Sequence, residues 1–255
     1  MQNMDRLQLL KKFSSEPRFW WFQHLDYLPA LYRNLSEEEF AVLLWWFSET
    51  ERDGKIGEIN VPAMSVINGL IEGNNIDSIV QLGHYAGYSA LFIGWALKAM
   101  GKARGLFSVD ISDEMCMYTQ KWMLRAGLGD LVHIECADST REDLAGLARE
   151  YFKQDIKAVI IDSSHQFAHT VGELNYWYRE LVPGGFIFLH DISDYSVQYD
   201  TTNEGGVNKA MLHWLDENPY AEAIMINETS PKELSPDNPY QDGCGLGIIQ
   251  KPMTP

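Results

Sequence analysis

Residues 77–99 read Asp-Ser-Ile-Val-Gln-Leu-Gly-His-Tyr-Ala-Gly-Tyr-Ser-Ala-Leu-Phe-Ile-Gly-Trp-Ala-Leu-Lys-Ala, and no other stretch of the chain restricts its fold as much. Ile79, Val80 and Leu82 form a short apolar strand and Gly83 to Gly87 a glycine-bounded turn. From Ser89 onward a helical pattern carries Leu91, Phe92, Trp95 and Ala96. A strand, a tight turn and a helix in this order suit a doubly wound sheet. There the turn lies at the carboxyl end of the strand, and the backbone N–H groups of the starting helix face a ligand. The pattern points to a nucleotide-like cofactor. Taken alone, the two glycines serve equally well to shape a strand-to-helix turn.

The glycine spacing narrows the choice of cofactor. A dinucleotide site wants Gly-x-Gly-x-x-Gly, so that backbone can close on a pyrophosphate. Here the glycines stand at 83 and 87 with Tyr85 between them, which argues against NAD or FAD. A cofactor without phosphate, such as S-adenosylmethionine, needs only room beside the turn and polar groups for its amino acid end and its ribose. Asp110 closes the run Leu106-Phe107-Ser108-Val109 and supplies an acidic residue for the ribose.

The totals exclude several classes. With 255 residues, 45% of them hydrophobic, the chain can bury a sizeable core. A formal charge of −16 repels a phosphate backbone, and Lys and Arg are scattered, so a nucleic-acid partner is not expected. Cys116, Cys136 and Cys244 are an odd number without metal-ligand spacing. They fit a reducing cytoplasm, as small buried side chains, better than a disulfide framework. No apolar run approaches the roughly 20 residues of a membrane span, and the opening Met-Gln-Asn-Met-Asp-Arg lacks a signal-peptide pattern. A soluble, cytoplasmic protein with no membrane partner is expected.

Along the chain, residues 1–75 read as a helical extension. Ser36 followed by Glu39 is a capping-box signature opening a helix with Phe40, Leu43, Leu44 and Phe47 at helical spacing. Trp20, Trp21, Phe22, Tyr27, Tyr32, Trp45 and Trp46 make the region aromatic: an ordinary helical core, a lid over a site, or a surface that pairs subunits into a homo-oligomer. Residues 76–255 alternate strands and helices. The strand candidates are Ile79 to Leu82, Leu106 to Val109, Val132 to Ile134, Ala158 to Ile161, Phe186 to Leu189, Ala223 to Ile226 and Leu246 to Ile249. The expected architecture is α/β: a doubly wound, mostly parallel seven-stranded sheet, Rossmann-like, behind the N-terminal helices. Pro231, Pro236 and Pro239 mark a surface loop between the last two strands.

Polar residues collect where these strands end. Asp110, Asp138 with Ser139, Asp162 with His165, and His190 with Asp191 each sit at or just after a carboxyl end, the edge where open α/β sheets bind ligands. Singly, an Asp or Ser there can also be a helix cap. Among the histidines, His165 is best placed for acid–base chemistry, since an imidazole can remove a hydroxyl proton near neutral pH. The alternative is that it caps the helix running through Val171 and Leu174 or hydrogen-bonds locally. His84 and His169 are placed less well, and His24, His133 and His213 have no positional argument.

Together Gln81-Leu-Gly83-His-Tyr-Ala-Gly87-Tyr-Ser89, Val109-Asp110, Ala137-Asp138-Ser139, Ile161-Asp162-Ser-Ser-His165, Pro183-Gly184-Gly185 and Leu189-His190-Asp191 resemble the class I S-adenosylmethionine-dependent methyltransferases. Within that superfamily the chain is similar to the small-molecule O-methyltransferases of the catechol-like, antibiotic-sugar and cephalosporin-tailoring type. The resemblance implies that Gln81, Gly83, Gly87 and Ser89 bind the methionine end of the cofactor. It implies that Asp110 accepts from both ribose hydroxyls, that Asp138 and Ser139 lie near the adenine, and that Asp162 also faces the cofactor. Gln81 departs from the acidic residue usual in the superfamily.

The metal-dependent branch implies a divalent ion, usually magnesium, at Asp162, His190 and Asp191, and a general base at His165. His190 departs from the usual carboxylate. Magnesium prefers oxygen ligands while imidazole suits zinc, iron or nickel, so His190 orients its neighbours, or the metal is softer, or none is used. The expected function is O-methyl transfer from S-adenosylmethionine to a hydroxyl of a small molecule, a sugar or natural-product scaffold. The N-terminal helices and residues 192–204, with Tyr195 and Tyr199, close over the acceptor. N-methyl transfer, a metal-dependent hydroxylase-like reaction on the same scaffold, and a non-catalytic binding role are the alternatives.

Overall fold

In the computed structural model, which describes residues 3–14, 18, 20–230 and 237–253, every expected strand forms. They are β1 (Ile79–Leu82), β2 (Leu106–Asp110), β3 (Val132–Cys136), β4 (Ile156–Ile161), β5 (Leu181–His190), β6 (Glu222–Ile226) and β7 (Leu246–Gln250). One sheet holds all seven in the order β3-β2-β1-β4-β5-β7-β6. The first five strands are parallel, and β7 runs antiparallel to both β5 and β6. Pro231 and Pro236 lie outside the described residues, as do Met1, Gln2 and the side chains of Trp20 and Trp21.

The helices are α1 (Asn3–Lys11), α2 (Ala30–Arg33), α3 (Glu37–Arg52), α4 (Val61–Gly73), α5 (Tyr88–Ala99), α6 (Asp113–Arg125), α7 (Leu144–Phe152), α8 (Phe167–Glu180) and α9 (Gly206–Glu217). α3 starts as its sequence dictates. Ser36 Oγ accepts from Glu39 N at 3.1 Å while the Glu39 carboxylate accepts from Ser36 N at 3.0 Å.

α5 explains why an N-terminal layer is needed. It is apolar on all sides, and a helix of that kind must be covered on every face. Ten of its 12 residues are buried. The sheet covers one side, and the other packs in a continuous core with Tyr32, Phe40, Trp46, Phe47 and Ile67. The N-terminal aromatic residues that are described are therefore mainly core, with Trp45 and Tyr27 left exposed. Two polar contacts fix this layer: Trp46 Nε1 donates to Ala86 O at 2.8 Å, and the Tyr32 and Tyr88 hydroxyls share a hydrogen bond of 2.7 Å.

Strand register sets up the site. Leu82 is level with Val109 on one side and Ile161 on the other, and Ile161 is level with Leu189. The next residues, Gly83, Asp110, Asp162 and His190, therefore stand side by side along one carboxyl edge. The chain order reverses between β1 and β4, which makes their loops the switch point of the sheet. Because Trp46 ties the N-terminal layer to this edge, Trp46→Phe should destabilise the protein by about 1–3 kcal/mol through the unsatisfied Ala86 carbonyl. Equilibrium urea unfolding measures the difference.

Candidate active site

A cavity of about 1270 Å³ opens along that edge. Its first wall is the β1 turn. Gly83 has φ +81°, and a Cβ there would lie 2.0 Å from the Asp162 carbonyl oxygen, so only glycine lets the β1 and β4 ends approach. Gly87, at φ +92°, starts α5, and a Cβ there would meet the Thr119 side chain at 2.9 Å. The turn is held by Asp110. Its Oδ2 accepts from His84 N at 3.2 Å and Tyr85 N at 2.9 Å, and its Oδ1 from Ser112 N at 2.9 Å. A carboxylate offers about four acceptor positions, so Asp110 keeps capacity for a ligand.

Not every residue expected to bind the cofactor lines the cavity. Gly83, Asp110, Asp138, Ser139 and Asp162 line the cavity, whereas Gln81 and Gly87 do not. Gln81 is fully buried behind the turn, where its Nε2 donates to Ser89 Oγ at 2.5 Å and its Oε1 accepts from Ser108 Oγ at 3.2 Å. Ser108 Oγ in turn lies 3.0 Å from His84 Nδ1. Burial drives the His84 pKa down to about 4 against the pull of Asp110, leaving a neutral ring that props the turn from behind. Ser89 belongs to this network and to a small recess beside Gly83. Asp138 also turns the backbone, accepting from Thr140 N and Oγ1 at 2.8 and 2.6 Å. Ser139 Oγ donates to the buried Glu173 at 2.5 Å, beside His169. Glu173, which also accepts from Ser163 Oγ at 2.7 Å, carries no sequence signal beyond its place on α8.

The far wall is a cluster of buried charge. His165 Nε2 lies 3.0 Å from Asp191 Oδ2 and 3.8 Å from Asp162 Oδ1. His190 Nδ1 lies 3.3 Å from each of the same two oxygens, and its Nε2 lies 3.4 Å from Asp242 Oδ2. Burial favours neutral rings, but the facing carboxylates outweigh it. Asp162 and Asp191 raise the His165 pKa to about 10, and Asp191, Asp162 and Asp242 hold His190 well above its ordinary range. Burial alone would raise the Asp162 and Asp191 carboxyls; pairing with the two imidazoles holds both below the carboxylate range. His165 Nδ1 has no hydrogen-bond partner among the described residues. The cap of α8 is Gln166, without a side-chain cap bond, so His165 is not a helix cap.

Two groups of candidate metal-ligating atoms lie at this wall. Donor atoms that converge within 4.8 Å are those of Asp162, His165 and Asp191 and, separately, those of His190, Asp242 and Cys244. His190 Nδ1 nonetheless lies 3.3 Å from an oxygen of both Asp162 and Asp191, so the expected set Asp162, His190 and Asp191 also stands together, with the ring shared between that pair and Asp242. Asp242 and Cys244 precede β7, and only the antiparallel pairing of His190 with Leu246 brings them to this edge. Tyr85, His165 and Asp191 all line the cavity with positive φ of 42°, 60° and 61°. Such backbone persists only where the surroundings enforce it and clusters at functional sites.

The loop after β5 covers the cavity's outer side. Tyr199 lines it, with its ring centroid 5.8 Å from that of His165. Burial would raise the Asp200 carboxyl, but hydrogen bonds from Thr202, Gly206 and Glu204 bring it down to about 2 and anchor the start of α9. From the N-terminal layer, Arg18 and Glu58 line the cavity as a buried ion pair of 2.7 Å.

Residues 80–192 match a family model described as a methyltransferase domain. No curated protein matches the sequence. Among solved structures, the fold is similar to that of the O-methyltransferase from Bacillus cereus in complex with SAH. The TM-score is 0.63 at 14% identity, over 83% of this chain and 90% of that one. It is also similar to that of TomG, an O-methyltransferase from Streptomyces achromogenes involved in tomaymycin synthesis, solved in complex with SAM. There the TM-score is 0.61 at 12% identity, over 86% of this chain and 91% of that one. At such identities the likeness is one of fold.

The charge cluster predicts a pH dependence of stability. A ring whose pKa rises from 6.5 to about 10 on folding contributes fully below pH 6.5, and the contribution is lost as pH climbs through 10. In metal-stripped protein, wild type should exceed His165→Gln by on the order of 2 kcal/mol at pH 6, with the gap closing by pH 10. Urea unfolding of both at several pH values reads it.

Proposed function

We propose that the chain is a class I S-adenosylmethionine-dependent methyltransferase that methylates a hydroxyl of a small molecule with His165 as proton acceptor. The observation that carries the reading is the position of His165. It stands across one cavity from the β1 turn and Asp110, with Nε2 fixed by Asp191 and Nδ1 left to an acceptor.

The residues present fit the cofactor. Gly83 lets backbone approach, Asp110 retains acceptor capacity at the end of β2 for ribose hydroxyls, and Ala137, Asp138 and Ser139 border the space beyond it. The bound cofactor would supply an electrophilic methyl group on sulfur. The protein's work is then to position the acceptor oxygen in line and to exclude water. His165 Nδ1 takes the hydroxyl proton, and Asp191 stabilises the resulting imidazolium through Nε2. Gln166, Gln198, Tyr199 and Thr201 offer hydrogen bonds and one aromatic face, which suits a hydroxylated ring such as a sugar or natural-product scaffold. The net charge of −16 speaks against a nucleic-acid acceptor.

A divalent cation also fits Asp162, His165 and Asp191, where Asp191 Oδ1 is buried without a hydrogen-bond partner. It would act as a Lewis acid on the acceptor oxygen, and His165 would then be its ligand. Magnesium dependence of turnover separates the two roles.

Calorimetric titration of metal-stripped protein with S-adenosylmethionine should show binding that Asp110→Asn weakens about 10- to 100-fold, with melting checked in parallel because Asp110 also holds the turn. No binding with or without magnesium would sink the reading. With an acceptor in hand, His165→Ala should lower turnover about 10²- to 10⁴-fold at unchanged cofactor affinity. For wild type without metal, kcat/KM should climb with pH toward about 10, because only the neutral ring accepts a proton.

A further inference from the structure

We propose that His190, Asp242 and Cys244 form a binding site for a thiophilic divalent cation of the zinc, iron or cobalt class, distinct from the Asp162–His165–Asp191 set and independent of the methyl-transfer reading. Their donor atoms, one imidazole nitrogen, one carboxylate oxygen and one thiol sulfur, all lie within 4.8 Å of one another. Two of them are buried and unsatisfied. His190 is 6% exposed and Asp242 0%, and neither His190 Nε2 nor Asp242 Oδ2 makes a hydrogen bond among the described residues, although they lie 3.4 Å apart. Buried polar atoms without partners are rare and costly, and two pointing at one spot mark a place where a ligand belongs.

The remaining geometry fits a metal ligand. A coordinating histidine donates its other ring N–H to a carboxylate, which fixes the tautomer. His190 Nδ1 has two such acceptors, Asp162 Oδ1 and Asp191 Oδ2, each at 3.3 Å. The opposite wall is held in place. Ser193 N donates to Cys244 O at 2.9 Å, Ser193 Oγ to Gly243 O at 2.6 Å, and Asn227 Nδ2 to Asp242 O at 2.5 Å. Asp242 Oδ1 accepts from Cys244 N at 3.0 Å, leaving Oδ2 free to turn inward.

The donor types select the ion. Thiolate and imidazole favour zinc, iron and cobalt, whereas magnesium demands oxygen ligands. Three protein ligands leave a fourth position of a tetrahedral site open. His190 and Cys244 also line the cavity, so that position faces the acceptor space. Binding displaces two protons to solvent, one from the Cys244 thiol and one from Nε2 of the His190 imidazolium.

Cobalt(II) titrated into the metal-stripped full chain, followed by absorption, tests this. Expected is a near-ultraviolet thiolate-to-metal charge-transfer band that Cys244→Ser abolishes, that requires more than about tenfold more cobalt in Asp242→Asn, and that persists in His165→Ala. Zn²⁺ should raise the melting temperature of wild type but not of Cys244→Ser, and Mg²⁺ should produce neither the shift nor the band. Cobalt binding without a Cys244-dependent band would assign the metal to the Asp162–His165–Asp191 set, and loss of the band in His165→Ala would make His165 a ligand of the same ion; either result would overturn the proposal. Failure of Co²⁺ and Zn²⁺ to bind would leave His190 and Asp242 a plain ion pair and overturn it as well. A Cys244→Ser variant that no longer melts cooperatively would be replaced by Cys244→Ala, with the same band as the readout.

Discussion

The close passage of Gly83 against the Asp162 carbonyl is the contact on which the site depends. A side chain at position 83 would drive the ends of β1 and β4 apart. Without one, the turn that opens α5 and the segment that carries Asp162 and His165 share a single cavity at the switch point of the sheet. Asp110 completes the arrangement by accepting from the backbone of His84 and Tyr85, so the same carboxylate that faces the cavity also sets the shape of its rim.

Electrostatics then divides the cavity. Three carboxylates and two imidazoles meet below the sheet edge, where each charge alone would be costly. Their mutual pairing keeps Asp162 and Asp191 ionised and the rings basic. Behind the β1 turn, outside the cavity, the Gln81–Ser108–His84 chain uses neutral groups, and burial keeps its ring uncharged. His165 and His190 are thus basic and His84 neutral, although all three stand at the carboxyl ends of strands of one sheet.

The sequence carried much of this. The strands were legible because parallel strands buried on both faces read as short apolar runs, and the capping box at Ser36 marked the start of α3. Asp110, Asp162, His165, His190 and Asp191 were legible as a group because register places strand-end residues together. Side-chain direction was not. Gln81 points into the core although Gly83, two residues on, lines the cavity, and His190 turns toward Asp242 as much as toward Asp191. Cys244 carried no metal-ligand spacing and read as a small buried residue.

The order of apolar runs, glycines and acidic residues determined by itself an α/β sheet with a ligand edge and a turn suited to a cofactor without pyrophosphate, because those features follow from local periodicity and backbone freedom. Only the tertiary structure decided which side chains meet. β7 inserts antiparallel beside β5 and carries Asp242 and Cys244 to His190 across more than fifty residues of chain, and the N-terminal layer brings Arg18 and Glu58 to the cavity wall. The physical reason is that such encounters depend on long-range strand pairing and on covering an all-apolar α5, neither of which leaves a periodic trace in the residues concerned.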